Sequence, residues 1–298
     1  MEAPEAVSGG AEKPRNQTVE LLRIAACLVI VAYHAGAVSW RWGHGAVMVF
    51  VMLLAYFEAA SPRPFGLGRA AAKLLGPWAG AMVVFAGINL LRHKPLLAAP
   101  GLASGVLYGS SPHLWFLPFA FLVLVVVGLM KRRPRSMFAL SVMLSLAMLW
   151  CVRRFLHDPM PVFLLQWLLS AAPAFLGAAL ARTIPLGRWA IPLAALIALG
   201  LYVSAPGIGV LYALTFCLVV AALRLGGGMS VRWMSRHVYG IYLVHPAVVS
   251  IGHALGLKGW GDAIPAFVVS AGLVGGGWAL ARKFGRPFAA AAPVRATP

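Results

Sequence analysis

The sequence predicts an all-α, polytopic integral membrane protein of about ten transmembrane helices, with both termini in the cytoplasm. Three observations carry that expectation. Of the 298 residues, 61% are apolar and only 11% are charged, with a mean hydropathy of +0.85; a soluble domain carries roughly 25% charged residues. Apolar blocks recur along the chain at close to the length of about 20 residues that a helix needs to cross a bilayer. The Lys and Arg between those blocks are unequally divided between alternate connections.

The blocks lie near 20–39, 46–60, 72–91, 113–130, 136–152, 161–181, 189–204, 208–223, 238–256 and 264–281. The second, seventh and eighth are short for a crossing. Before them, residues 1–19 form a polar segment with Glu2, Glu5, Glu12, Lys13 and Arg15, expected to be a disordered cytoplasmic tail. A cleaved leader is the rival reading of the first block, because Ala35-Gly36-Ala37 has the small-x-small form of a processing site. Residues 20–285 make one membrane domain with short loops, and the Ala/Pro-rich stretch 286–298 is a second cytoplasmic tail.

With the N-terminus inside and one crossing per block, six of the 25 Lys and Arg fall outside: Arg41, Arg92, Lys94, Arg153, Arg154 and Lys258. The other nineteen fall inside, led by "KRRPR" at 131–135, as the positive-inside rule requires. The same rule accounts for the net charge of +18, so nucleic-acid binding is not expected. Cys27, Cys151 and Cys217 stand in apolar surroundings without metal-type spacing, so neither a disulfide framework nor a metal site is expected.

Within the first block, Arg23 and His34 are costly residues to place in hydrocarbon, at about 2.5–3.5 kcal/mol for a central charge. Eleven residues at about 100° each end roughly 20° past three full turns. The two side chains therefore share one helix face, about 16 Å apart along the axis. Packing alone offers one account: Arg23 reaches the headgroups and pairs with Glu20 at i−3, while His34 bonds a neighbouring carbonyl. Intramembrane ionisable residues are otherwise functional candidates.

"RIAACLVIVAYH" at 23–34 resembles the first helix of the integral-membrane acyltransferase family 3, of the sugar O-acetylating kind, marked by Arg, ten residues and His. "GRAAAKLLGPW" at 68–78 resembles the family's basic stretch after the second helix, here spaced Arg69-x-x-x-Lys73. "HLWFLP" at 113–118 is similar to its Trp-Phe-Leu entry into a middle helix, and "SRHVYGIYLVHP" at 235–246 to a late helix with Tyr-Leu-x-His-Pro. The four stand in the family's order, over about 18–285. The second helix departs from it: Leu54-Ala55-Tyr56 replaces the usual Ser-Gly-Phe. No hydrolase-like appendage is present in the sequence, so acyl relay to a second domain of the same chain is not expected.

The resemblance implies O-acyl transfer, here of acetyl, from cytoplasmic acetyl-CoA or another acyl-CoA. The acceptor is a sugar hydroxyl on a surface or exported polysaccharide or a lipid-linked glycan, and the setting is the bacterial inner membrane. His34 is the candidate general base, since an imidazole with an unperturbed pKa of about 6.5 suits proton abstraction; direct transfer and a covalent acyl-histidine both remain open. Arg23 stands with it as a catalytic candidate. Arg69 and Lys73 are candidates for the CoA phosphates, with positive-inside anchoring as the alternative.

Lesser candidates for the substrate site are Trp115, His113, Tyr242, His245 and Glu58. Trp115 and His113 start the fourth block, where Trp either stacks on a sugar or joins an interfacial belt. Tyr239, Tyr242 and His245 form an i, i+3, i+6 stripe that either packs or faces the cavity of His34. Glu58 is expected to pair with Arg63 or Arg23. No role is drawn for His44, taken as lying in a loop or at a span end. The competing class is a transporter or flippase of a lipid-linked glycan; it predicts inverted repeats with broken helices in matching halves, and none is found. The topology predicts that a cysteine probe at Gly43 is labelled from outside the cell and one at Ser136 is not; the reverse order would overturn it.

Overall fold

The structure is a computed structural model, and it describes residues 16–99, 101–155, 162–184, 192, 208–225 and 231–284. Among these residues there are helices and no strands. In chain order they are α1 (Gln17–His34), α2 (Trp40–Ala60), α3 (Leu67–Leu91), α4 (Leu102–Tyr108), α5 (Phe116–Lys131), α6 (Met137–Phe155), α7 (Val162–Thr183), α8 (Ile208–Arg224), α9 (Arg232–Ser235), α10 (Val238–Ala254) and α11 (Trp260–Phe284).

Nine of the ten apolar blocks coincide with helices; the block at 189–204, apart from residue 192, lies outside the described residues. Six helices, α1, α2, α3, α6, α7 and α11, are long and apolar enough to cross a membrane, while α5, α8 and α10 are apolar but shorter. Their outer surfaces fit hydrocarbon rather than water: Val83, Leu91, Val210 and Leu255 are all more than 70% exposed.

Helix α1 sits between two packed groups. On one side Ile30 joins Met48, Met52, Leu149, Leu180 and Phe216 from α2, α6, α7 and α8. On the other, Cys27 and Val31 meet Val238 and Ile241 of α10 and Ala263 of α11. Both ends of α1 are fixed. The Asn16 side chain accepts from the amides of Thr18 and Val19 at 3.0 and 3.2 Å, and its own amide donates to the Ala222 carbonyl at 2.9 Å. At the far end Gly36, at φ +74°, takes the left-handed conformation. The Gly36 amide then donates to Tyr33 and the Ala37 amide to Ala32, at 3.0 and 2.8 Å, which closes a Schellman cap. His34 is thereby held in the last turn of a rigid helix. The Gly259 amide donates to the Ala35 carbonyl at 2.9 Å and ties this cap to the start of α11.

Among the described helices the most extensive pair is α2 with α7. It depends on Gly177, where a Cβ would stand 2.1 Å from the Met52 carbonyl oxygen, so the backbones touch. Two buried hydroxyls in this half find carbonyls: Tyr212 Oη donates to Leu169 at 2.8 Å and Ser145 Oγ to Ala172 at 3.0 Å.

Gly43, the probe position favoured by sequence, is buried, and a Cβ there would lie 2.6 Å from the Tyr33 ring. The exposed His93, after α3, serves the same topological test without that clash. Gly177→Val is expected to destabilise the detergent-solubilised protein by about 1–3 kcal/mol, because the obstructing atom is backbone and cannot rotate away. An unchanged thermal unfolding midpoint would contradict the close α2–α7 approach.

Candidate active site

Four histidines and a tyrosine gather around the end of α1. The His34 ring lies 5.1 Å from His245 and 6.5 Å from His113, centroid to centroid, and His113 lies 5.7 Å from His245. Each comes from a different element: α1, the turn before α5, and α10. Tyr242 and His245, three residues apart, share the inward face of α10, and both are buried. The Tyr242 hydroxyl donates to the His113 carbonyl, which joins α10 to the turn before α5.

Hydrogen bonds fix two of the imidazoles. His245 Nδ1 lies 3.2 Å from the Ile241 carbonyl, which can only accept, so Nδ1 carries the proton and Nε2 carries a lone pair in the neutral ring. His113 Nδ1 lies 2.9 Å from Ser111 Oγ. The Nε2 atoms of His245, His113 and His44 are buried without a hydrogen-bond partner among the described residues. Such atoms are costly in a packed bundle, and three of them in one cluster call for a ligand or water there.

A cavity of about 500 Å³ adjoins the cluster, lined by His34, His44, His113, Trp115, Tyr242 and Arg41 among others. At the Arg23 end of the bundle a second cavity, of about 480 Å³, is lined by Arg23, Glu58, Arg63, Arg69 and Lys73. A third, of about 180 Å³, lies between them. It shares Arg23, Phe50, Leu54 and Lys73 with the basic cavity and Ile30, Val47, Phe116 and Tyr242 with the histidine cavity. The three thus form a series along α1, from cations, through an apolar middle, to imidazoles.

The basic cavity has a surplus of positive charge. Glu20 pairs with Arg23 at 2.9 Å, as i, i+3 spacing predicts. Glu58 pairs with Lys131 at 3.0 Å, not with Arg63 or Arg23 as expected from sequence. The reason is geometric: Lys131 ends α5 beside the α2 terminus and donates to Glu58 and, at 2.7 Å, to the Arg63 carbonyl, while Arg23 is already held by Glu20. The remaining described acid, Asp262, lies 3.3 Å from His253. No acidic side chain among the described residues pairs with Arg69 or Lys73.

Sequence reasoning brought together Arg23, His34, His113, Trp115, Tyr242 and His245 as candidates, and all six line this series of cavities or, for His245, touch the rings that do. Trp115 is buried against Phe119, at 6.0 Å between centroids, so the interfacial-belt alternative is corrected. His44 was missed. Hydropathy starts the second block at 46, whereas the helix starts at Trp40 behind Ser39, and His44 then falls in its second turn, facing inward. Ser39 was the available signal, since Ser is a favoured residue at that position.

A family model described as an acyltransferase domain matches residues 16–282, well over half of the chain. No curated protein matches the chain, and neither does any solved structure.

Proposed function

The chain belongs to the integral-membrane acyltransferase family 3, and from that premise we propose that it transfers an acetyl group from cytoplasmic acetyl-CoA to a sugar hydroxyl of a surface or exported glycan, with His34 as general base. The observation that carries this is the series of cavities joining Arg23, Arg69 and Lys73 to His34. A donor with an anionic head and a long thin arm matches a basic cavity that narrows to an apolar one. Arg69 and Lys73, without acidic partners among the described residues, fit the phosphates, Arg by two parallel hydrogen bonds and Lys as a point charge. Arg23, at the junction of two cavities, orients the donor where head becomes arm.

At the other end, the sugar hydroxyl attacks the thioester carbonyl carbon. The hydroxyl proton passes to the free nitrogen of His34, the carbon–sulfur bond breaks, and the imidazolium returns the proton to the departing thiolate. His245 and Tyr242 hold the cluster in register. Trp115, walling the same cavity, offers an apolar ring face to a sugar, and His44 and His113 offer buried nitrogens to its hydroxyls. Glu58 takes a structural part, neutralising Lys131 at the basic cavity's edge. The long apolar helices support a membrane setting, the charge division supports the basic cavity facing the cytoplasm, and the bacterial inner membrane is what the family resemblance implies.

Kinetics of the purified protein with labelled acetyl-CoA, and mass spectrometry of glycans from cells with and without it, test the proposal. His34→Ala is expected to lower turnover by about 10²–10⁴ with normal insertion and thermal stability. Arg69→Ala is expected instead to raise KM for acetyl-CoA about tenfold or more, leaving KM for the acceptor alone. A stable His34→Ala protein that still acylates, or an Arg69→Ala protein with unaltered donor kinetics, contradicts the respective role.

A further inference from the structure

A further cavity, of about 530 Å³, opens between α3 and α10 at the His34 end of the bundle, and no residue of it has entered the mechanism so far. Arg92 and Lys94 line it, together with Phe85 and Ile88 of α3 and Pro246 and Ile251 of α10. The two helices are joined near the opposite end, where Tyr239 Oη donates to the Lys73 carbonyl at 3.5 Å. The main packing partner of α3 is α5, those of α10 are α1 and α11, and the cleft lies between α3 and α10. Ile251 is 59% exposed, so one wall continues onto the apolar surface of the bundle.

Two features make this cleft more than a gap. First, Arg92 and Lys94 are among the few cations at the end where the positive-inside rule disfavours them. The described acids are engaged elsewhere, with Arg23, Lys131 and His253. Second, the cleft is separated from the His34 cavity by a thin partition, Ser111-Pro112-His113. Pro112 lines both cavities, and Ser111 faces the cleft while its hydroxyl meets His113. The partition is braced from α3, because Asn89 Nδ2 donates to the Ser110 carbonyl and Ser110 Oγ to the Met82 carbonyl, both at 2.8 Å.

We propose that this cleft binds the phosphate or diphosphate headgroup of a polyprenyl carrier to which the acceptor glycan is attached. Arg92 and Lys94 hold the phosphate oxygens. Phe85, Ile88 and Ile251 cover the first hydrocarbon units, which run out along the exposed face of α10. The apolar walls select an amphiphile over free phosphate. The shared wall at Pro112 selects a substrate carrier over a bystander phospholipid, because it sets a headgroup held in the cleft beside the His34 cavity. The acceptor is then acylated while still on its lipid, before release or polymerisation on another carrier.

This inference rests on the acyl-transfer reading, and a binding measurement separates the two. The full chain in phosphatidylcholine nanodiscs is titrated with a polyprenyl diphosphate, and bound lipid is read by native mass spectrometry. Wild type is expected to retain the lipid. The double variant Arg92→Gln/Lys94→Gln is expected to weaken binding at least tenfold, and Ile251→Glu, which puts a negative charge in the apolar wall, is expected to do the same. Lys258→Gln, an exposed cation at the same end, should leave binding unchanged. All four positions are exposed, so thermal stability is expected to hold.

Equal affinity in wild type and double variant would overturn the proposal. So would displacement by equimolar phosphatidylglycerol, which would assign the cleft to anionic phospholipid, or equally tight binding of inorganic diphosphate, which would assign it to free phosphate. Specific carrier binding by a chain that transfers no acyl group would leave this site standing and remove the catalytic reading. Acylation of soluble glycans without carrier binding would do the opposite.

Discussion

Helix α1 imposes one spacing on the whole molecule. Arg23 and His34 stand on the same face about 16 Å apart, and the caps at Asn16 and Gly36 keep that helix from sliding or fraying. Everything else is arranged around the cost of carrying these two polar groups in an apolar bundle. Glu20 neutralises Arg23 at one end. At the other, His34 is joined by three further imidazoles, each delivered by a different element. Packing on both sides of α1 leaves the Arg23–His34 face as the place where side chains do not close up, and the three adjoining cavities lie along it.

Charge and polarity grade along those cavities in a way that suits an amphiphilic thioester. Arg69 and Lys73, without acidic partners among the described residues, stand at one end, Ile30, Val47 and Phe50 narrow the middle, and imidazole nitrogens without hydrogen-bond partners among those residues wait at the other. A pore that conducted ions would be hindered by the apolar constriction. A site that must hold an anionic head, exclude water from a reactive ester and present it to a base is helped by it. The cleft beside Arg92 and Lys94 continues the same logic on the far side of the partition, with cation and hydrocarbon surfaces again side by side.

Much of this was legible in the sequence because helical periodicity acts locally. The shared face of Arg23 and His34, the Glu20 pair and the Tyr242–His245 stripe all follow from spacings within a single helix. What was not legible depends on contacts between distant elements. Glu58 found Lys131, 73 positions away, because α2 and α5 end side by side. His44 was hidden because hydropathy set the start of α2 six residues late, although Ser39 marked it. That Trp115 faces inward, and that Tyr242 reaches the His113 carbonyl, depend on how α5 and α10 meet, which no window of sequence contains.

Sidedness tests the central claim most directly. The protein is reconstituted in one orientation in sealed vesicles, with labelled acetyl-CoA confined to the face bearing Arg69 and Lys73 and glycan acceptor confined to the face bearing His34. The account predicts labelled glycan in this arrangement and none when the donor is supplied only from the His34 face. Transfer that requires donor and acceptor on the same face would contradict passage of the acyl group along α1.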